Sequence, residues 1–224
     1  MLVFTKAFGV FFLCMALVSL CLTESSKQLG KLLWVGFLCL FLLALLEFMQ
    51  RQFYLGLLIE HSLQVCAPAI YYLALYHKQN FSKYTLYIKM IIALTFIGHG
   101  MFALGIHPVP GTFVDMLIIV LGVSEALARN LLLVAGSLDF IACIYLFIPR
   151  TELYGLGFAV IWGTITACAR VLAYFDFDLL AMSSHQWILQ TLIRLPHGLI
   201  PLAMFLYLKN KKNLIHIRDP QEVF

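Results

Sequence analysis

Apolar residues dominate long stretches of this chain and are separated by short polar segments. A helix that crosses the hydrocarbon of a bilayer needs roughly 20 predominantly apolar residues. Seven stretches meet this requirement, so the fold expected from the pattern is an all-α, polytopic integral membrane bundle. The seven predicted transmembrane helices are at about 2–22, 32–50, 54–76, 85–107, 129–149, 153–174 and 186–208.

The segment between the fourth and fifth predicted spans breaks this pattern. The sequence GHGMFALGIHPVPGTFVD, from Gly98 to Asp115, contains two prolines, which lack a backbone donor and restrict the residue before them. The apolar run that follows is too short to cross a bilayer. We predict that a helix ends here and that the loop forms part of the roof of a polar pocket. A short interfacial or re-entrant helix is expected to follow at about 112–126.

The composition supports a membrane protein with almost no soluble part. Of the 224 residues, 62% are hydrophobic and 12% are charged, whereas soluble domains carry about 25% charged residues. A soluble domain of this size has too much surface to hide that apolar fraction. The first stretch also has features of a secretory signal, but its apolar run is long and no clear cleavage pattern precedes ESSK. Residues 1–208 are therefore treated as one transmembrane domain.

The basic residues lie mainly in alternate connections between the predicted spans. Cytoplasmic loops are enriched in lysine and arginine, so this alternation predicts an outside N-terminus and a cytoplasmic C-terminus. Residues 209–224 then form a basic cytoplasmic tail, which suits a nearby anionic lipid surface. The opposite connections carry only Arg51 and Arg129 near their span ends. The basic residues assigned to the cytoplasmic side are Lys27, Lys31, Lys78, Lys83, Lys89, Arg150, Lys209, Lys211, Lys212 and Arg218.

Ionisable residues inside the spans are concentrated in the predicted outer half or at mid-depth. Each is costly in hydrocarbon if it is alone, so these side chains are expected to converge and pair. Asp139 in particular is expected to have a basic or hydrogen-bonding partner. The convergence predicts a polar pocket open to the outer side, and the alternative is a set of ion pairs that only hold the helices together. The candidate ligand-binding residues are Glu47, Glu60, His61, His99, Asp139, Arg170, Arg194 and His197.

The last predicted span contains RLPHGLIP, in which Pro196 and Pro201 loosen the backbone hydrogen bonding. Carbonyl groups freed in this way line sites rather than face lipid, although an ordinary proline kink gives the same pattern. We predict that Arg194 fixes a ligand or a carboxylate that anchors it. His197 and His99 are predicted to supply a titratable or donor group.

No sequence motif identifies a reaction, so enzymatic activity stays open. HExxH, GxSxG, histidine boxes and a mid-depth lysine in the last span are all missing from the sequence, and the basic tail alone gives no support for nucleic-acid binding. The six cysteines are scattered singly, as small apolar residues are, and predict neither a disulfide framework nor a metal site. A b-type haem held by two of His61, His99 and His197 is a less favoured alternative.

Residues 91–171 carry three features in order. FIGHGMFALG ends a span, a proline-containing loop with a short apolar helix follows, and LGVSEALARNLLLVAGSLDFIACIYLFIPR places an acidic residue in the next span. On these features the segment resembles the DoxX-like membrane family. Asp139 stands where that family has a glutamate, and three extra spans precede the matching part. The resemblance therefore covers roughly a third to a half of the chain.

The DoxX-like resemblance implies a redox- or quinone-associated protein of the bacterial inner membrane. A quinone is the cofactor that fits this expectation, because its carbonyls accept hydrogen bonds from histidine and arginine and its ring needs apolar walls. The alternatives are a carrier or receptor for a small polar or anionic solute, and a scaffold subunit of a membrane complex. The expected partners are the lipid bilayer, a small-molecule ligand and other membrane subunits.

Overall fold

A computed structural model describes residues 2–218, and these residues form α-helices, one 3-10 segment and one π-helical segment, with no strand among them. The predicted all-α class is therefore confirmed. Residues 219–224 of the predicted tail lie outside the described residues. The helices are α1 (Leu2–Cys21), α2 (Lys27–Gly30), α3 (Leu32–Gln50), α4 (Leu55–Glu60), α5 (Ser62–Tyr76), α6 (Thr85–Ala103), α7 (Gly111–Leu121), α8 (Glu125–Phe147), α9 (Glu152–Tyr174), α10 (Leu180–Ser183), α11 (Leu189–Arg194) and α12 (Pro196–Arg218).

Five helical stretches of the described chain are long and apolar enough to cross a membrane. Two further stretches that the sequence predicts as spans are not among them: the pair α4–α5, which is broken at His61, and α1, of which the part from Lys6 to Cys21 is a shorter apolar helix. The membrane class thus follows from five helices, and the number of seven spans stays a prediction. The five stretches are Lys27–Gln50, Lys78–Ala103, Glu125–Phe147, Glu152–Tyr174 and Leu180–Leu214.

The short helix expected after the fourth span is present as α7, but it ends five residues earlier than predicted. Gly122 stops it by adopting a left-handed conformation with φ +66°, which an L side chain adopts only with strain. Ser124 then caps α8, and its hydroxyl accepts a hydrogen bond from the Leu127 N–H at 3.4 Å. The helix that follows therefore begins at Glu125, four residues before the predicted start of the fifth span.

Two helices that the sequence predicts as continuous are broken in the structure. The predicted span 54–76 divides at His61, and the Leu63 N–H beyond the break donates to the Thr95 hydroxyl at 3.0 Å. The predicted span 186–208 divides at Leu195, because Pro196 lacks the N–H that would continue the ladder. Both breaks lie beside ionisable residues, so they matter for the site described below.

The helices run alternately between two ends of the bundle. At one end, which we call the basic end, Lys89 of α6 and Lys212 of α12 both bind Glu152 of α9. Lys212 also donates to the Pro149 carbonyl at 2.8 Å, and Lys78 pairs with Glu24 at 2.5 Å. These contacts join the ends of α6, α8, α9 and α12 to one another, and the segments that follow α1 and α5 to one another. The opposite end carries the connection between α3 and α4 and the loop before α7.

The main apolar core lies around α6. Ile88, Ile92 and Phe96 of this helix are buried against residues of α5, α8, α9 and α12, including Leu63 and Met204. Many large apolar side chains elsewhere remain exposed, as expected for helices whose outer faces meet lipid. The central position of α6 brings His99, which is near its end, into the middle of the bundle.

Glycines allow several helices to approach closely beside the ionisable residues. A Cβ atom built on Gly163 of α9 would lie 2.3 Å from the carbonyl oxygen of His197. A Cβ built on Gly98 of α6 would lie 2.6 Å from the backbone nitrogen of Glu60. Both distances are shorter than a carbon atom can tolerate, and the obstacle is backbone. Small residues at these positions are therefore required by the helix packing.

We expect Gly163→Ala to destabilise the protein, because α9 and α12 would have to separate to accommodate the methyl group. Overpacking of this kind costs about 1–3 kcal/mol. Gly157→Ala is the matched control, since it lies on the same helix and a Cβ there meets nothing within 4 Å. Alanine favours helix by up to about 1 kcal/mol over glycine, so the control should be neutral or slightly stabilising. Thermal unfolding in detergent measures both, and equal effects would contradict the close contact.

Candidate functional site

Glu60 occupies the centre of a group of ionisable side chains. It is the last residue of α4, so the break at His61 places its carboxylate between two helices. The Oε2 atom lies 3.4 Å from His99 Nδ1, and the Oε1 atom lies 3.9 Å from His61 Nδ1. The backbone carbonyl oxygen of Glu60 lies 3.5 Å from His197 Nε2. One residue therefore faces three histidines: one on α6, one on α12 and one at the break between α4 and α5.

His61 links this centre to the edge of the bundle. Its Nδ1–H donates to the Leu57 carbonyl at 2.7 Å, and its Nε2 atom lies 3.9 Å from Glu47 Oε2. The Glu47 side chain is 44% exposed, whereas the Glu60 side chain is 15% exposed. The group of ionisable residues therefore extends from a buried carboxylate to an accessible one at the end of α3.

The break at Leu195 sets the position of His197. It frees the carbonyl of Arg194, which accepts a hydrogen bond from His197 Nδ1–H at 2.8 Å. The His197 ring also meets the His99 ring edge to face, with 5.2 Å between the ring centres. Since these two rings touch, no haem macrocycle fits between them. The freed carbonyl orients a histidine, as expected for a broken helix that lines a site.

Two arginines approach the same carboxylate. The guanidinium groups of Arg170, on α9, and Arg194, on α11, are each close enough to Glu60 and to one another for Coulombic interaction. Arg194 donates one hydrogen bond, from Nη1 to the Gln190 carbonyl at 3.1 Å. Arg170 has neither a hydrogen bond nor an ion pair within 4 Å to any described residue. Most of the guanidinium donors therefore have no partner in the described part of the chain.

The structure thus brings together seven of the eight residues that the sequence suggested. They come from α3, α4, α6, α9, α11 and α12 and from the residue between α4 and α5, and they contain two carboxylates and two guanidiniums. Like charges repel across the two arginines, and the carboxylates only partly offset that repulsion because neither is in direct contact with a guanidinium. We call these residues the polar cluster: Glu47, Glu60, His61, His99, Arg170, Arg194 and His197.

Asp139 lies apart from the polar cluster. It is buried on α8, at 2% exposure, with no ion pair to a described residue. Of the two kinds of partner that the sequence predicts, the hydrogen-bonding one is present, because the side chain of Trp162 on α9 offers its N–H to the carboxyl group, and a basic one is not found among the described residues. The Oδ1 atom has no hydrogen-bond partner. An acidic side chain so placed is costly, because its surroundings replace only part of the hydration that burial removes.

His107 is a further residue beside the polar cluster that the sequence pattern did not single out. The Gly56 N–H, in the first turn of α4, donates to His107 Nε2 at 3.2 Å, and the ring of Tyr54 lies 5.2 Å from the His107 ring. The loop HPVPG therefore covers the start of the helix that ends at Glu60. This position fits the predicted roof of the pocket. The contact requires glycine at position 56, because a Cβ atom there would lie 2.8 Å from the His107 ring.

The described residues contain neither a disulfide nor a group of side chains arranged as a metal site. All six cysteines are free, and no group of three or more histidine, cysteine, aspartate or glutamate residues there is arranged to hold a metal ion. Comparison of the chain with protein-family models, with curated proteins and with solved structures finds no match. The DoxX-like resemblance therefore stays an expectation from the quoted motifs.

We expect Asp139→Leu to raise the melting temperature, since it removes a buried carboxyl that has no cationic partner. The gain should be on the order of 1 kcal/mol or more, the cost of burying an incompletely hydrogen-bonded polar group. Ser137→Leu is the control on the same helix, because Ser137 is exposed and its hydroxyl bonds the Leu133 carbonyl of its own helix. A marked fall in melting temperature for Asp139→Leu alone would contradict this assignment and indicate a stabilising partner.

Proposed function

We propose that this chain is an integral membrane protein that binds a small anionic ligand at the polar cluster. One observation carries the proposal: Arg170 and Arg194 converge on one partly buried region, and most of their N–H donors have no partner among the described residues. A guanidinium offers five N–H donors in a planar fork that matches carboxylate and phosphate oxygens. An anion between the two arginines would relieve their repulsion and fill those donors.

The other members of the polar cluster have distinct roles in this proposal. Glu60 attracts both guanidiniums and offsets part of their positive charge, and the ligand offsets the positive charge that is left. His99 and His197 supply imidazole groups beside the same region. Glu47, which is partly exposed, marks the side from which the ligand enters. A carrier or a receptor for a small polar or anionic solute both fit this arrangement.

A quinone-associated role is the second candidate. It is favoured by the direct contact between the His99 and His197 rings beside Arg194, since imidazole and guanidinium donors suit the carbonyl oxygens of a quinone. The DoxX-like resemblance supports the same candidate and, with it, a bacterial inner membrane. A scaffold role in a larger membrane complex requires no ligand, so the polar cluster would then consist of interhelical contacts alone.

We further propose that the chain crosses the membrane seven times with its N-terminus outside. The supporting observations are that the pair α4–α5 runs from the contact with His107 to the contact with Ser26, at opposite ends of the bundle, and that α1 packs along α3. Most of the basic residues that flank helices lie at the basic end, as expected for a cytoplasmic face. Glu47 then faces the outer side, and the polar cluster opens there.

We expect acetate to raise the melting temperature of the purified protein relative to chloride at equal ionic strength. Ligand that binds the folded state stabilises it by about 2.7 kcal/mol at a hundred times its dissociation constant. The stabilisation should be lost in Arg194→Ala and nearly lost in Arg194→Lys, because lysine lacks the planar fork. Arg129→Ala, at an exposed pair with Glu125, should keep it.

The quantity compared in that experiment is the difference with and without acetate within each variant, so a general loss of stability does not mimic loss of binding. Equal stabilisation of Arg194→Ala and the native protein would contradict the proposed site. The absence of any anion effect, with a quinone in the organic extract of the purified protein, would favour the second candidate.

The topology is tested with single cysteines in a background that lacks the six native ones. Asp178 lies in the exposed connection before α10, and Asn213 lies near the basic end of α12. We expect a membrane-impermeant thiol reagent added to intact cells to label a cysteine at 178 and to label one at 213 only after permeabilisation. Labelling of both from the same side would contradict the alternation of spans.

A further inference from the structure

An apolar groove of about 450 Å³ lies between α5 and α12. Small side chains leave its space open, and aliphatic and aromatic side chains form its walls. No member of the polar cluster lines the groove, so the two are separate features. Residues that line it include Ala67, Ile70, Ala74, Leu199, Ala203 and Tyr207.

The groove is aligned with the polar cluster along α12. His197, Ile200, Met204 and Tyr207 follow one another at spacings of three or four residues, so they lie along the same face of the helix. His197 precedes Ile200 by about 4.5 Å along the helix axis, at 1.5 Å per residue. The contact of His197 Nε2 with the Glu60 carbonyl therefore lies just beyond the outer end of the groove.

The lining of the groove restricts what can occupy it. Its polar groups are few, and Lys78, at the end away from His197, is already paired with Glu24. The lining of the groove therefore contains no lysine without a carboxylate partner. An alkyl chain suits the remaining apolar walls, and its charged end would lie toward the arginines.

We propose that the anion bound at the polar cluster is a single-chain amphiphile. Its acidic head group lies at Arg170 and Arg194, and its alkyl chain lies in the groove between α5 and α12. This inference rests on the proposed anion site and adds the class of ligand: a long-chain carboxylate rather than a small water-soluble acid. Complementarity of charge at the head and of apolar surface along the chain supports the same molecule.

The test uses decanoic acid that carries a diazirine at the end of its chain, added to the full-length protein in lipid nanodiscs. After illumination, mass spectrometry locates the adducts. We expect adducts within residues 67–78 and 199–207. Labelling should fall roughly tenfold in Arg194→Ala, the effect of losing about one charge-assisted hydrogen bond. It should also fall in Ala203→Trp, which fills the groove.

Leu206→Trp is the matched control, because Leu206 is an exposed residue of the same helix that does not line the groove. It should label as the native protein does. The methyl ester of the same probe tests the head group, since it keeps the chain but has no charge. Equal labelling by the ester, or unchanged labelling in Arg194→Ala, would overturn the proposal by showing that the groove takes any lipid chain.

The inference and the proposed function fail in distinguishable ways. Stabilisation by acetate without labelling of the groove would leave the anion site in place and overturn the amphiphile. Loss of both acetate stabilisation and groove labelling would overturn the two together. Labelling that depends on Arg194, on the carboxylate and on an open groove supports the inference.

Discussion

The cost of placing charge in an apolar helix bundle is the constraint on which the arrangement around Glu60 depends. An isolated carboxylate or guanidinium in hydrocarbon loses its hydration and must recover that free energy from neighbouring groups. Glu60 meets this requirement through two histidine side chains, while Arg170 and Arg194 lie within Coulombic reach. Each group tolerates burial because the others are present. The polar cluster is therefore one electrostatic unit rather than seven independent positions.

That unit can form because the helices around it approach closely at glycines and because two of them are interrupted beside it. Gly98 admits the backbone of Glu60, and Gly163 admits the carbonyl of His197, so α6 and α9 reach the cluster without intervening side chains. The breaks at His61 and Leu195 then release backbone groups beside the same region. In a bilayer such groups need internal partners, and the His197 ring satisfies the Arg194 carbonyl.

Charged side chains are paired differently at the basic end and in the polar cluster. At the basic end, Glu152 receives both Lys89 and Lys212, so its carboxylate is matched by direct ion pairs. In the polar cluster the carboxylates and the guanidiniums are near one another but not in direct contact, and most of the guanidinium donors have no partner among the described residues. A closed set of pairs holds helices together, whereas an open set retains the capacity to bind. This difference is why we propose a ligand at the polar cluster and a structural role for the Glu152 contacts.

The amino-acid sequence by itself determined the class of the protein and the composition of its polar region. Apolar stretches of the length of a bilayer permit only helices, and ionisable residues within them must pair, so the all-α fold and seven members of the cluster could be foreseen. The sequence also predicted the short helix after the prolines, because HPVPG cannot continue α6.

The tertiary structure decided which of those residues meet, and it left Asp139 out. Depth along a helix can be read from residue number, but the direction in which a side chain faces depends on helix rotation and on local breaks, which hydropathy does not encode. Asp139 has the right depth but is directed toward Trp162, whereas the break at His61 directs Glu60 toward His99. His107 was missed for the same reason, because its contact with Gly56 joins a loop to a distant helix.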